Sequence, residues 1–166
     1  MKKIVFLLFI IIVIGCLISK KSEVLIPKEA IRIRIIAASN TIEDQKLKAD
    51  IKNDISEMLF KKVYNVNNYE VANNVINNSL NDVDNIVSKY TNNYEISYSN
   101  NYFPKKEYKG ITYDEGNYQS LQIKLGNGKG ENFWCVLFPP LCLIDEDRLN
   151  DVEYRFLIKD LLNKTK

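Results

Sequence analysis

The stretch Ile31-Arg32-Ile33-Arg34-Ile35 decides the fold, because apolar and charged residues alternate in it one by one. Strict alternation is typical of a strand that buries one face of its sheet. The pattern predicts a strand that extends to Ala38 and buries a face of isoleucines. Arg32 and Arg34 then lie on the opposite face. Arginines on an open face are usually solvated, and the alternative is that they form part of a contact surface.

Two stretches of helical periodicity follow this strand. Ser39-Asn40-Thr41 is a helix start signal, because acidic residues follow at the spacing of a capping box. Apolar residues on one face then predict a helix near 42–63. A second apolar stripe predicts another helix near 69–89. The opposite face of that helix is rich in asparagine, so packing rather than propensity must stabilise it.

The second half of the chain has the patterns of strands. Residues 94–103 alternate and are rich in aromatic side chains, 108–113 is a short extended segment, and 118–125 alternates again. An apolar strand is predicted at 133–138, and the loop before it predicts a hairpin with 118–125. Turns are predicted at the following residues: Gly116 and Asn117, and then Gly126, Gly128 and Gly130. A last helix is predicted at 147–163.

The order of these elements predicts an α+β fold. Helices and strands are segregated along the chain, which favours an antiparallel or mixed sheet of about four to five strands with about three helices packed on it. We expect a single extracytoplasmic domain over residues 31–163. A connector at 22–30 joins it to an N-terminal hydrophobic export helix at 1–21.

The first twenty-one residues predict export. Lys2 and Lys3 precede an apolar run from Ile4 to Ile18, and a charged start before a short apolar core describes a secretory signal. A helix of that length spans about 22 Å, which is short of the roughly 30 Å hydrocarbon core of a membrane. Three alternatives stay open: a cleaved signal, a membrane anchor retained through residues 4–18, or a lipoprotein modified at Cys16.

The composition excludes several kinds of chemistry. The chain contains no histidine, which excludes Ser-His-Asp and Cys-His catalysis and the His-bearing zinc sites, and we expect no cofactor. Its 23 basic and 21 acidic residues are nearly balanced and form no basic stripe, so nucleic acid is not an expected partner. The acidic residues 145–147 leave one catalytic alternative, a cell-wall hydrolase that uses paired carboxylates.

The densest feature is Phe133-Trp134-Cys135-Val136-Leu137-Phe138-Pro139-Pro140-Leu141-Cys142. Cys135 and Cys142 predict a disulfide in an exported domain, and two buried thiols are the alternative. A bridge requires the proline pair to reverse the chain. Trp134 and Phe138 share strand parity, opposite to Cys135. If they are exposed, Trp134, Phe138, Pro139 and Pro140 form a hot spot for a partner.

These residues also resemble a known family. Ile31 to Asn40, with Glu43-Asp44-Gln45 after it, is similar to the opening of the stage II sporulation protein R family. Tyr102-Phe103-Pro104 and Gly116-Asn117-Tyr118 continue the resemblance. The strongest match is the segment from Gly128 to Cys142, and together these segments cover nearly the whole predicted domain.

The resemblance implies a signalling role without catalysis. Proteins of this family are made in the forespore of an endospore-forming bacterium and cross its membrane. In the space between the two cells they trigger a membrane-embedded aspartic protease of the mother cell, which cleaves the precursor of sigma-E. The resemblance therefore implies a secreted or membrane-anchored protein whose partner is that protease. A structural lipoprotein is a further alternative.

Overall fold

The structure, a computed structural model, describes residues 24–25, 29–108 and 111–140 of the 166-residue chain. The predicted export segment, Cys16, the acidic residues 145–147, Cys142 and the predicted helix at 147–163 lie outside these residues. Within the described part, no helix has both the length and the apolar character that a membrane span needs.

The elements follow the order that the sequence predicts, with helices and strands in separate blocks. The strands are β1 (Val24–Leu25), β2 (Ile31–Ile36), β3 (Tyr94–Phe103), β4 (Lys106–Tyr108), β5 (Ile111–Tyr113), β6 (Gly116–Leu125) and β7 (Asn132–Phe138). The helices are α1 (Ile42–Val63), α2 (Tyr69–Asn78) and α3 (Leu80–Val87). The described residues thus contain three helices and a four-stranded mixed sheet, which confirms the predicted α+β fold.

The main sheet has the strand order β3-β6-β2-β7. β2 pairs in parallel with β6 and antiparallel with β7, and β3 pairs antiparallel with β6 along its whole length. The predicted hairpin between β6 and β7 is therefore wrong, because β2 lies between them. A second, smaller sheet has the order β1-β5-β4, and β1 forms within the predicted connector.

The glycine-rich segment 126–131 is a crossover loop around the end of β2 rather than a hairpin turn. The Gly130 amide donates to the Ala37 carbonyl at 2.9 Å, and the Lys129 amide donates to Ala38 at 3.2 Å. Gly126 has a φ of 51°, and a Cβ atom there would lie 2.8 Å from the Ala38 Cβ. Glycine is required at this point because the chain must turn in the left-handed region against the end of another strand.

The helix α1 begins and ends where the sequence predicts. Thr41 caps it by accepting the Asp44 amide at 3.3 Å, and the Asp44 carboxylate accepts the Ser39 hydroxyl at 2.6 Å. Acidic residues in the first turn and basic residues in the last turn complement the helix dipole.

The predicted helix near 69–89 is two helices, because Ser79 interrupts it. Ser79 is buried, and its hydroxyl donates to the Val75 carbonyl at 2.7 Å while accepting the Lys62 ammonium at 3.1 Å. A serine hydroxyl that bonds to the preceding turn competes with the helical ladder and favours a break. Periodicity alone missed this break, since the apolar stripe runs through it.

The core lies between the three helices and one face of the main sheet. Isoleucines of β2 and alternate residues of β6 meet apolar residues of all three helices. The fully buried members are Ile31, Ile33, Ile35, Leu121, Ile123 and Leu125 from the sheet, and Ile51, Ile55, Leu59, Val63, Ala72, Ile76 and Val87 from the helices. Gly116 and Asn117 are not a turn but open β6, opposite Phe103 and Tyr102.

Candidate functional site

The sheet face opposite the helices carries the two arginines of β2, and we call it the arginine face. It is formed by alternate residues of four strands, since side chains on neighbouring strands in register share a face. Its members are Arg32, Arg34, Glu95, Ser97, Ser99, Asn101, Phe103, Tyr118, Ser120, Gln122, Lys124, Trp134 and Val136.

Arg32 is enclosed at one end of this face rather than solvated. Only 3% of the residue is exposed. Its guanidinium carbon lies 3.7 Å from the ring centroid of Tyr118 and 4.9 Å from that of Phe103. Tyr113 adds a third ring at 5.8 Å. The simpler expectation for an arginine on an open face is therefore wrong here, because aromatic rings from β3, β5 and β6 cover it.

The Arg32 guanidinium forms no salt bridge with the described residues inside this aromatic enclosure. Its Nη2 donates to the backbone carbonyl of Asp114 at 3.1 Å. The Asp114 carboxylate lies instead 3.9 Å from the Lys105 ammonium. Burial lowers the pKa of Arg32, and the nearby Tyr118 partly opposes this shift. Arg32 is held by ring faces and a peptide dipole, which suits a structural anchor better than a contact residue.

Arg34 and Trp134 lie together on the arginine face, and both are partly exposed, unlike the buried Arg32. They are register partners on β2 and β7, and the Arg34 guanidinium carbon lies 4.8 Å from the Trp134 ring centroid. Exposed Lys106 approaches the same ring, with its Nζ 5.8 Å from the centroid. Phe103 fixes the indole by an edge-to-face contact at 5.1 Å. We call Arg34, Lys106 and Trp134 the cationic end.

Phe138 does not share a face with Trp134. The register between β2 and β7 shifts between Ile31 and Arg32, so Arg32 is opposite Val136 while Ile31 is opposite Phe138. One extra residue in β7 reverses the parity from there on. Phe138 consequently joins the core with 2% exposure, and Pro139 and Pro140 are buried. Of the predicted hot spot, only Trp134 remains accessible. The prediction assumed a regular alternation of faces along β7, which the bulge interrupts.

Cys135 packs against the core on the helix side of β7. It is disulfide-bonded, and its partner lies outside the described residues. A bridge to Cys142 stays a prediction. The two prolines after β7 form a turn that starts with a cis peptide bond between Phe138 and Pro139.

The opposite end of the arginine face is polar and internally paired. The Lys124 ammonium lies 3.0 Å from the Glu95 carboxylate. Nearer to Arg32, the Asn101 amide donates to the Ser120 hydroxyl and to the Ser99 carbonyl, both at 3.0 Å. The Lys124 charge at this end is therefore neutralised within the chain.

The sequence reasoning named Arg32, Arg34 and Trp134 but missed Lys106, Phe103, Tyr113 and Tyr118. The alternation in 94–103 and 118–125 already places Phe103 and Tyr118 on polar faces of their strands, which was an available signal. Lys106 could not have been found this way, because its position depends on how the small β4–β5 sheet folds over the main one. In residues 29–108 and 111–140, the acidic and cysteine side chains form no cluster that could hold a metal ion.

Comparison with known proteins shows which family this chain is similar to. The model of the family "Stage II sporulation protein R (spore_II_R)" matches residues 27–148, which include the whole arginine face. The chain belongs to the stage II sporulation protein R family. Stage II sporulation protein R of Bacillus subtilis (strain 168) is 37% identical to it over 134 residues. That alignment covers 76% of this chain and 59% of the relative. No solved structure matches the chain.

Membership of the stage II sporulation protein R family supports a role in sporulation. The matched range runs from the end of the predicted connector, through the described sheet and helices, and past Pro140. It therefore covers the arginine enclosure, the cationic end and the crossover loop.

Proposed function

We propose that this chain is an exported signalling protein of endospore formation that activates a membrane-embedded aspartic protease by binding to it. Processing of the sigma-E precursor by that protease is the outcome. The chain acts in the space between forespore and mother cell, either free after signal cleavage or anchored through residues 4–18. In this proposal it is a ligand and not an enzyme.

Membership of the sporulation family is the observation that carries this proposal. The chemistry of the chain is compatible with it, since a sequence without histidine lacks the common base of nucleophilic hydrolases. A ligand needs an accessible surface with anchors of the kind that dominate interfaces, and tryptophan and arginine are enriched among such anchors. The cationic end supplies both residue types side by side.

Trp134 is the side chain whose truncation we expect to weaken activation most. It is partly exposed and held rigid between the Phe103 edge and the Arg34 guanidinium. A rigid aromatic side chain contributes contact area at a small entropic cost, which is typical of hot spots. Phe138, Pro139 and Pro140 lie in or beside the core, so their role is to position β7.

The proposal is tested by co-expressing the full chain, the protease and the sigma-E precursor in a bacterium that does not sporulate. Precursor cleavage is followed in time by immunoblotting. We expect cleavage only when all three proteins are present, and a decrease of about tenfold or more for Trp134→Ala, as for a central hot spot. Tyr64→Ala is the matched control, because Tyr64 is an exposed aromatic residue following α1.

Cleavage that proceeds equally without the full chain would remove the proposed function. Cleavage that needs the chain but is unchanged by a folded Trp134→Ala variant would keep the function and remove this part of the surface. Thermal unfolding of each purified full-length variant shows whether it is folded.

A further inference from the structure

The cationic end contains positive charge that the described part of the chain does not neutralise. Arg34 forms no ion pair there, and its Nε is buried without a hydrogen-bond partner. Lys106 forms no ion pair there either, and its ammonium lies over the Trp134 ring. Lys124 lies on the same face and is neutralised by Glu95. The difference between the two ends is therefore one of charge pairing, since both carry a cation.

The Trp134 ring holds the Arg34 guanidinium in a position to bind an anion. The guanidinium lies against the Trp134 ring, and Phe103 holds that ring from the edge. A guanidinium carries several N–H donors in one plane, and a pair of them matches the two oxygens of a carboxylate. Burial lowers the pKa of Arg34, and no carboxylate among the described residues opposes this shift. A guanidinium that is partly desolvated and unpaired gains more from an incoming anion than a solvated one does.

The size and charge of the cationic end favour a protein carboxylate over a membrane surface. Polybasic lipid-binding segments use clusters of about four to eight lysines and arginines, whereas this end has two cations. One guanidinium, one ammonium and a fixed indole are instead the composition of a protein-binding hot spot. An acidic side chain next to an apolar one is the complementary ligand.

We propose that an acidic segment of the protease binds the cationic end through a carboxylate held between Arg34 and Lys106, with an adjacent apolar side chain against Trp134. This inference rests on the proposed function, because it names the partner surface that this function needs. Arg32 takes no direct part and holds the aromatic residues beneath the cationic end in place.

Carbodiimide cross-linking tests the contact independently of activity. The reagent activates a carboxylate, the Lys106 amine displaces the activating group as a urea, and an amide bond joins the two proteins. The full chain and the protease are cross-linked in the membranes that carry them, and mass spectrometry locates the bond. We expect a bond from Lys106 to an aspartate or glutamate of the protease. It should be lost in Lys106→Arg, which keeps the charge, and kept in the control Lys89→Arg.

Charge reversal tests the energetics in the cleavage assay. Arg34→Glu should lower the cleavage rate by about tenfold or more, and Arg34→Lys should lower it less, because a lysine keeps the charge but not the bidentate geometry. Lys106→Glu should act in the same direction at an exposed site where folding is not at risk. Substituting lysine for the cross-linked carboxylate of the protease should restore part of the activity lost in Arg34→Glu.

The outcomes separate this inference from the proposed function. A Lys106 bond to the protease without any cleavage would support the contact and overturn the function. Chain-dependent cleavage that Arg34→Glu and Lys106→Glu leave unchanged, with no such bond, would overturn the contact alone. A Lys106 bond to a second copy of the chain or to the chain's own residues 145–147 would also overturn it. So would the absence of any Lys106 bond together with binding of the wild-type chain to anionic vesicles.

Discussion

The two faces of the main sheet are stabilised in different ways although they share the same strands. On the helix side, isoleucine and leucine side chains are fully buried against three helices. On the arginine face, a buried guanidinium is surrounded by aromatic rings, and apart from the buried Val136 the remaining side chains are polar or partly exposed. The helix side therefore accounts for most of the stability, and the arginine face carries the groups that we propose to bind the partner.

The largest expected difference between the faces is in the response to truncation. Leu121→Ala removes a fully buried leucine from the helix side and should lower the free energy of unfolding by about 2–5 kcal/mol. Its chain neighbour Gln122 points to the arginine face, and Gln122→Ala should change this free energy by about 0.5 kcal/mol or less. Urea unfolding measures both. Similar losses for the two variants would contradict the comparison.

The second prediction asks what holds Arg32 in its enclosure. Arg32→Ala removes an aliphatic stem that packs against rings and leaves a cavity, so we expect a loss of about 2–3 kcal/mol. Arg32→Met fills a similar volume without a desolvated charge and should cost about 1 kcal/mol or less. Both follow from urea unfolding. If methionine is as costly as alanine, the ring–cation contact and the Asp114 hydrogen bond are what hold the site.

The smallest expected effect concerns the helix side at alkaline pH. Burial raises the pKa of Tyr98, whose hydroxyl donates to the Asn73 side chain at 2.6 Å. The unfolded chain loses this proton at about pH 10, while the folded chain retains it, so stability is complete below that pH and falls as pH rises above it. Tyr98→Phe should make this fall shallower and cost about 1 kcal/mol at neutral pH.

Unfolding measured between about pH 8 and 11 tests this prediction, because the reference tyrosine titrates in that range. Gln122→Ala gives the contrast, because the Gln122 side chain lies on the arginine face and does not titrate, so this variant should leave the pH profile unchanged. An unchanged profile in Tyr98→Phe would place the alkaline transition on other tyrosines.

Local patterns predicted the elements well and their arrangement less well. Alternation in 31–35 and helical spacing in 42–63 report which residues are buried. The helix has the predicted bounds, whereas the strand ends at Ile36 and not at Ala38. The hairpin was predicted from the short loop 126–130, but β2 occupies the place between β6 and β7. A loop of that length can close a hairpin or cross one strand, and only the pairing needs of a distant strand decide between them.

The candidate site shows the same limit. Arg34 and Trp134 could be named from strand parity and residue type. Phe138 was assigned to the wrong face, because a β-bulge shifts parity and leaves no sequence mark in an apolar run. Lys106 was missed because it approaches Trp134 through tertiary packing of β4, which no local pattern reports.

The central place of β2 affects the order in which the chain folds. This strand comes early, yet its two neighbours are formed by residues 116–138, so its paired residues are 88 positions apart in β6 and 96 to 107 positions apart in β7. Contacts of such high sequence separation form late, since the intervening chain must first be closed into a loop. A chain exported with its N-terminus first would leave the cytoplasm with β2 still unpaired. Folding would then be completed only after the crossover loop and β7 have reached the far side of the membrane.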